Sequence, residues 1–570
     1  MSNESGLDRR AFVAYFSAAG LAGSSTLLPG VLWAYAQQEQ RVTKEMLAQA
    51  EKVVGLEFTE EEREEMLRGL NRNLENWEEL RAVPLSNSVL PAIQFDPQLP
   101  GVTYPTADGD PDPGPPPSAE RPSALEKAAF WSVRQLSQML RNRHATSVEL
   151  TTMYLDRLKR FDPQLKAVIT LTEERAMRQA EAADREIAAG RHRGALHGVP
   201  WGAKDLLAVR GYPTTYGAAP FETQMIAEDA TVVRKLDDAG AVLVAKLTLG
   251  ALAQGDQWFG GRTNNPWNLE QGSSGSSAGP GATTAAGCVG FSIGTETLGS
   301  IVSPSTRNGV TGLRPTYGRV SRHGAMALSW SMDKIGPMCR SAEDCALVFS
   351  AIHGADGRDP TARDVPFIWD ATRPLESIRV GYYRSAFDQP ETEDARARKV
   401  FDDATLEVLR AQGIQLIPIE TPSSYPLNAI RAAILSAEAA AAFEELTRSG
   451  RVNELERSSW PNSFRQARLI PAVEYVNANR IRTLVMQAMH EVMQSVDVFV
   501  APTSGNNVLV LTNLTGHPAV CLPNGFTGEG TPVSISFIGR LWGEAELLRV
   551  AKAYQDATDF HTRRPPLFAT

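Results

Sequence analysis

Two clusters of small residues constrain this chain more than any other feature: Gly272-Ser273-Ser274-Gly275-Ser276-Ser277-Ala278-Gly279 and Gly294-Thr295-Glu296-Thr297-Leu298-Gly299-Ser300. Serine and glycine do not fill a core. Glycine lets backbone approach another group closely or adopt positive φ, so two such clusters flanking an apolar run predict two loops that meet at one centre. A third segment, His197-Gly198-Val199-Pro200-Trp201-Gly202-Ala203-Lys204-Asp205, lies upstream. One lysine and two serines thereby stand at positions 204, 276 and 300.

These segments resemble the amidase signature family, whose members hydrolyse amides with a Ser-cisSer-Lys triad. In that family the bridging serine precedes the nucleophile by 24 positions, which selects Ser276 over Ser273, Ser274 and Ser277 once Ser300 is the nucleophile. The family lysine sits in a G-V-P-x-x-x-K-D context, matched by Gly198 to Asp205, which makes Lys204 the carried-over base. The resemblance runs from about Ser123 to the C-terminus and includes Asp333-Lys334-Ile335-Gly336-Pro337-Met338 and Asn513-Leu514-Thr515-Gly516-His517-Pro518-Ala519. It implies a cis peptide before Ser276 and an oxyanion hole from the backbone amides of Thr297, Leu298, Gly299 and Ser300. It implies no cofactor and no metal. This chain departs from the family at Leu298, where a second glycine is usual, and at Val302, where many members carry an arginine that in some holds a substrate carboxylate. Recognition of a small acidic amide through that position is therefore not expected.

The chemistry explains the residue types. A serine hydroxyl attacks a carbonyl well only when a base takes its proton. Lysine, with an ordinary pKa of about 10.4, is that base only when uncharged. Burial disfavours the ammonium form, and the apolar neighbours Val199, Pro200, Trp201, Leu206 and Leu207 predict such surroundings. Taken singly, a serine in a glycine-rich loop is a turn residue and a Lys-Asp pair a solvated surface pair. Three residues in register with one template, inside motifs many residues long, are not explained that way.

Gly275-Ser276-Ser277-Ala278-Gly279 also satisfies G-x-S-x-G, the nucleophile elbow that would make Ser277 the nucleophile of an esterase. An elbow follows a buried strand, whereas Asn264 to Gln271 is polar and contains a proline. The required later histidine has five candidates, His323, His353, His490, His517 and His561, none in a convincing motif. A noncatalytic binding protein that kept the fold is the other alternative. Asp256, Gln257 and Trp258, between the lysine and serine motifs, are candidates for the acyl pocket.

At 570 residues with a net charge of -9 and no long basic run, the chain predicts a large globular catalytic domain and no nucleic-acid partner. The expected partner is a small-molecule or peptide amide. The four cysteines, Cys288, Cys339, Cys345 and Cys521, and the eight histidines lack metal-ligand spacing, and the thiols read as buried. Asp8-Arg9-Arg10-Ala11-Phe12-Val13, the apolar stretch to Leu32 and Ala34-Tyr35-Ala36 resemble a cleavable twin-arginine export signal over residues 1–36, predicting a periplasmic or extracellular protein without a stable membrane anchor.

A helical N-terminal extension is expected over 37–96, where Thr59-Glu60-Glu61-Glu62 reads as a capping box opening a helix through Leu70. A proline-rich linker follows over 97–122 and the catalytic domain over 123–570. Within the catalytic domain Ser147 to Arg160 and Thr172 to Gly190 read as helices, and Ala241 to Ala245, Ile378 to Tyr383 and Val496 to Val500 as buried strands. Alternating strands and helices place the domain in the α/β class. The resemblance implies the amidase signature fold, a mixed central sheet flanked by helices.

Overall fold

In the computed structural model residues 41–83, 85–89, 91, 93–104 and 111–569 are described. The export signal expected over residues 1–36 lies outside them. Two units divide the chain, one ending at Ser86 and the other running from Asn87 to Thr570.

The described residues of the first unit hold two helices, Lys44–Val54 and Glu60–Arg81. Thr43 caps the first through its side chain. The second opens on the expected box: Thr59 Oγ1 accepts from Glu62 N at 3.2 Å, and Glu62 Oε2 accepts from Thr59 N at 2.7 Å. It continues past Leu70, the end expected from sequence, to Arg81. Arg63 ties the two helices together by a two-pronged bond to Glu51, with both N···O distances 2.9 Å.

An 11-stranded sheet runs through the second unit. Its spatial order is Val168–Leu171, Val242–Leu247, Pro200–Lys204, Phe291–Glu296, Lys334–Cys339, Thr311–Arg314, Ala519–Phe526, Pro532–Gly539, Val498–Pro502, Val380–Tyr383 and Ile417–Ile419. The sheet is mixed: Pro200–Lys204 runs parallel to both neighbours, and the middle of the sheet is antiparallel. Strands such as Val242–Leu247 are buried along their whole length, which is why Ala241 to Ala245 reads in the sequence as an apolar run rather than as alternation. The three expected strands form at Val242–Leu247, Val380–Tyr383 and Val498–Pro502, and the two expected helices at Ser147–Leu165 and Glu173–Ala188. The described part of the proline-rich stretch lies on this unit, with Asp112 exchanging backbone hydrogen bonds with Trp369 and Ala371 at 2.9 and 2.7 Å. Among the described residues no helix is long and apolar enough to cross a membrane, and all four cysteines are free and buried.

This topology delivers the three motifs to one place. Pro200–Lys204 and Phe291–Glu296 are adjacent and parallel, with Ala203 opposite Ile293, so Lys204 and Thr295 come together where both strands end. The first serine cluster leads into the helix Ala278–Ala285, whose chain returns as Phe291–Glu296 and then turns through the second cluster into the helix Val302–Asn308. Both clusters therefore lie at the carboxyl end of the same strands, the usual place for a site in an α/β sheet.

Candidate active site

Lys204 ends its strand with its side chain fully buried. Its Nζ lies 2.8 Å from Ser276 Oγ, 3.0 Å from Ser277 Oγ and 2.9 Å from Thr295 Oγ1, with the Thr295 carbonyl at 3.3 Å. Among the described residues no carboxylate pairs with it. The adjacent Asp205 turns the other way, forming a 2.6 Å ion pair with Lys246 and accepting from the Thr215 amide and hydroxyl. Burial pushes the Lys204 ammonium well below lysine's ordinary range, outweighing Asp333 and Glu296, whose charges push it up. A lysine surrounded by hydroxyls, with no counter-ion in contact, is the environment in which the amine sheds its proton.

The peptide between Gly275 and Ser276 is cis, as the resemblance implies. Glycine at 275 is required by close approach, since a Cβ there would stand 1.8 Å from the Gly255 carbonyl oxygen. The two clusters are joined directly: Ser277 N donates to Ser300 O at 3.1 Å. All three serines are buried, Ser276 at 1%, Ser277 at 0% and Ser300 at 8% exposure, which makes Ser300 the least enclosed of them. Gly299, at φ 87°, turns the chain just before it. Among the described residues the backbone N–H groups of Leu298, Gly299 and Ser300 have no acceptor. Unpaired consecutive amides are rare in a folded chain, and here they form a set of donors free to receive a developing oxyanion. Leu298, the departure from the family's glycine, has ordinary negative φ and contributes its amide in the same way.

The turn is held from behind by Glu296. Its Oε2 accepts from the amides of Ile301 and Val302 at 2.9 and 3.0 Å, and its Oε1 from Arg314 Nη1 and Asn513 Nδ2 at 2.8 and 2.9 Å. Burial would raise the Glu296 carboxyl, but Arg314 and Lys334 outweigh it and hold it at about 2, so it is a carboxylate throughout the physiological range. Thr297 donates through its hydroxyl to Asp333 Oδ1 at 2.5 Å, and Asp333 also accepts from the amides of Leu328 and Ser329. Burial raises the Asp333 carboxyl above its ordinary value. Thr295, Glu296, Arg314 and Asp333 have no role assigned from sequence, although Asp333 and Asn513 lie inside segments that resemble the family.

Ser277 is not placed as an elbow nucleophile. The strand before it, Asn268–Gly272, belongs to a two-stranded hairpin outside the main sheet. Its hydroxyl is enclosed, donating to Thr295 O at 3.1 Å and accepting from Thr295 N at 3.1 Å, beside Lys204. Asp256 supports the serine loop by accepting from Ser274 N at 3.0 Å. Gln257 and Trp258 pair with Arg262 and Gly261 in a half-buried hairpin. A cleft opens beside the second serine cluster, reaching Thr295, Thr297 and Asp333, its lining made of the apolar Leu206, Ala253, Met326, Leu328, Trp330 and Ile335 together with the charged Arg322, Lys334, Arg358 and Asp359. Asp256, Gln257 and Trp258 are not among its lining residues.

A family model described as Amidase matches residues 149–509. A glutamyl-tRNA(Gln) amidotransferase subunit from Roseiflexus sp. (strain RS-1) is 36% identical over 471 residues, covering 74% of this chain and 95% of that protein. Its counterpart in Geobacter metallireducens is 33% identical over 480 residues, covering 76% of this chain and 98% of that protein. Among solved structures, the native peptide amidase from Stenotrophomonas maltophilia superposes with a TM-score of 0.69 at 29% identity, covering 78% of this chain and 100% of that one.

Proposed function

The chain belongs to the amidase family and is an amidohydrolase, and from that premise we propose that it cleaves linear carboxylic amides through an acyl-enzyme on Ser300. The observation that carries the reading is the buried Lys204 amine 2.8 Å from Ser276 Oγ, on a loop bonded directly to Ser300. Uncharged Lys204 takes the Ser276 proton as Ser276 takes that of Ser300, whose Oγ bonds to the amide carbon. The carbonyl oxygen gathers charge against the backbone amides of Thr297, Leu298, Gly299 and Ser300. The relay then returns the proton to the departing nitrogen, releasing ammonia or an amine. Water repeats the sequence on the ester and frees the acid.

A fluorophosphonate is expected to modify Ser300, as peptide mass spectrometry would show, and Ser300→Ala to lower amide turnover by about 10^4-fold or more. Ser277→Ala should still direct the adduct to Ser300. An adduct on Ser277 in the unaltered protein would move the chain to elbow-type esterases, and no adduct would favour a noncatalytic binding role.

The substrate class is a small-molecule or peptide amide, supported by the likeness to a peptide amidase. We read the protein as a stand-alone, exported enzyme rather than as one component of a complex working on aminoacyl-tRNA. The twin arginines Arg9 and Arg10 with the Ala34-Tyr35-Ala36 end support export, and the net charge of -9 argues against a nucleic-acid partner. Replacing both arginines by lysine is expected to hold the protein in the cytoplasm, and an unchanged location on fractionation would end the export reading.

A further inference from the structure

Asn87 and Ser88 lie far upstream of the catalytic motifs, at the start of the second unit, yet both line the cleft that reaches Thr295 and Thr297. Asn87 is fixed there by its own amide. Its Oδ1 accepts from Ala327 N at 2.7 Å and its Nδ2 donates to Ala327 O at 2.8 Å, the pairing that a neighbouring strand would make. Ala327 stands between Met326 and Leu328, two apolar residues of the cleft. The chain that follows is also anchored. Phe95 lies under the Arg482 guanidinium, 3.5 Å from ring centroid to Cζ, and meets Tyr317 edge-on. Asp96 pairs with Arg363 at 2.9 Å.

We propose that Asn87 and Ser88 form a fixed wall of the substrate cleft and set the size of the apolar group that an amide's acyl part can carry into it. The inference rests on Ser300 being the nucleophile, three residues beyond Thr297, which the cleft reaches. Asn87 spends its amide on Ala327, so what it offers an incoming group is bulk rather than hydrogen bonds. The lining combines the apolar Leu206, Ala253, Met326, Leu328, Trp330 and Ile335 with His323, Asp333, Lys334 and two arginines that are already paired, Arg322 with Asp359 and Arg358 with Glu228. An ionic substituent finds no free counter-charge in these arginines, whereas an alkyl or aryl group finds surface to bury. The selected substrates are amides whose acyl part carries an alkyl or aryl group, with an upper size limit at the Asn87–Ser88 wall.

The test uses the whole protein and two fluorophosphonates, one carrying an ethyl group and one a phenylbutyl group, with the labelling rate of Ser300 followed for each. Asn87→Ala is expected to raise the phenylbutyl-to-ethyl rate ratio about tenfold, and Ser88→Phe to lower it about tenfold, the range that a change of one or a few carbons in a pocket commands. Ser88→Phe leaves the Asn87–Ala327 pairing in place, so it still reads the wall if Asn87→Ala fails to fold. A ratio unmoved within twofold in Ser88→Phe would overturn the wall while leaving the nucleophile intact. No adduct on Ser300 in the unaltered protein would instead overturn the catalytic reading on which the wall depends.

Discussion

Replacing Lys204 by alanine is expected to lower amide turnover by about 10^2- to 10^4-fold, the contribution of a positioned acid-base group, and to abolish fluorophosphonate labelling of Ser300 on the same timescale. The charge state of Lys204 decides its role. Burial pushes Lys204 well below its ordinary range, and its neighbours at contact distance are the hydroxyls of Ser276, Ser277 and Thr295 with one carbonyl. An amine in that setting can accept a proton and pass it on.

Arginine makes the discriminating variant. It keeps donors near the same oxygens but stays charged at any working pH, so Lys204→Arg should be as inactive as Lys204→Ala if the residue is a base. A role limited to donating hydrogen bonds would leave the arginine variant substantially active. The pH profile supplies a second reading. Because the folded pKa is lowered, the uncharged form exists above that lowered value, and kcat/KM should climb with pH to a plateau as the proton leaves. This limb should vanish in Lys204→Ala, and a limb that persists there would assign it to another group.

How much of this is legible in the sequence follows from how each feature is encoded. Lys204, Ser276 and Ser300 can be placed because each sits in a run whose glycines and small residues have no packing role, and their spacing survives as a linear pattern. The cis peptide comes with the resemblance, since nothing in Gly275-Ser276 as a dipeptide specifies it. Glu296, Arg314 and Asn513 cannot be joined in advance. Their meeting depends on Thr311–Arg314 and Ala519–Phe526 being neighbours in the sheet, a pairing between segments far apart in sequence. Asn87 is hidden for a related reason. It lies in a stretch that reads as an accessory extension, and only its backbone-like pairing with Ala327 brings it to the cleft. The helix from Glu60 outruns its expected end at Leu70 because Gly69 weakens a helix without breaking it, while Leu, Glu and Arg propagate it on both sides.

Glu296→Ala is expected to be the most destabilising single change at the site, at about 3 to 5 kcal/mol in chemical denaturation, because it leaves the fully buried Arg314 guanidinium without its carboxylate. The loss would not be confined to stability. The same carboxylate accepts the two amides that follow Ser300, so its removal frees the turn that presents Leu298, Gly299 and Ser300, and residual folded enzyme should lose turnover as well. Glu296→Gln separates the two roles, since its amide oxygen can still accept from Ile301 and Val302 but carries no charge for Arg314.

The pH dependence has a definite sign. The Glu296 carboxyl is depressed to about 2 in the folded chain against about 4.3 unfolded, so its stabilising contribution is complete above pH about 4.3 and is lost as pH falls toward 2. Pairing Glu296→Ala with Arg314→Met should recover part of the stability, because the double variant buries no unmatched charge, while turnover stays low because the two amides remain unheld. A single-variant loss under about 1 kcal/mol would mean that Arg314 is satisfied by Thr512 and the His517 carbonyl alone, and that the turn around the nucleophile is fixed by Ser277 and Thr297 rather than by Glu296.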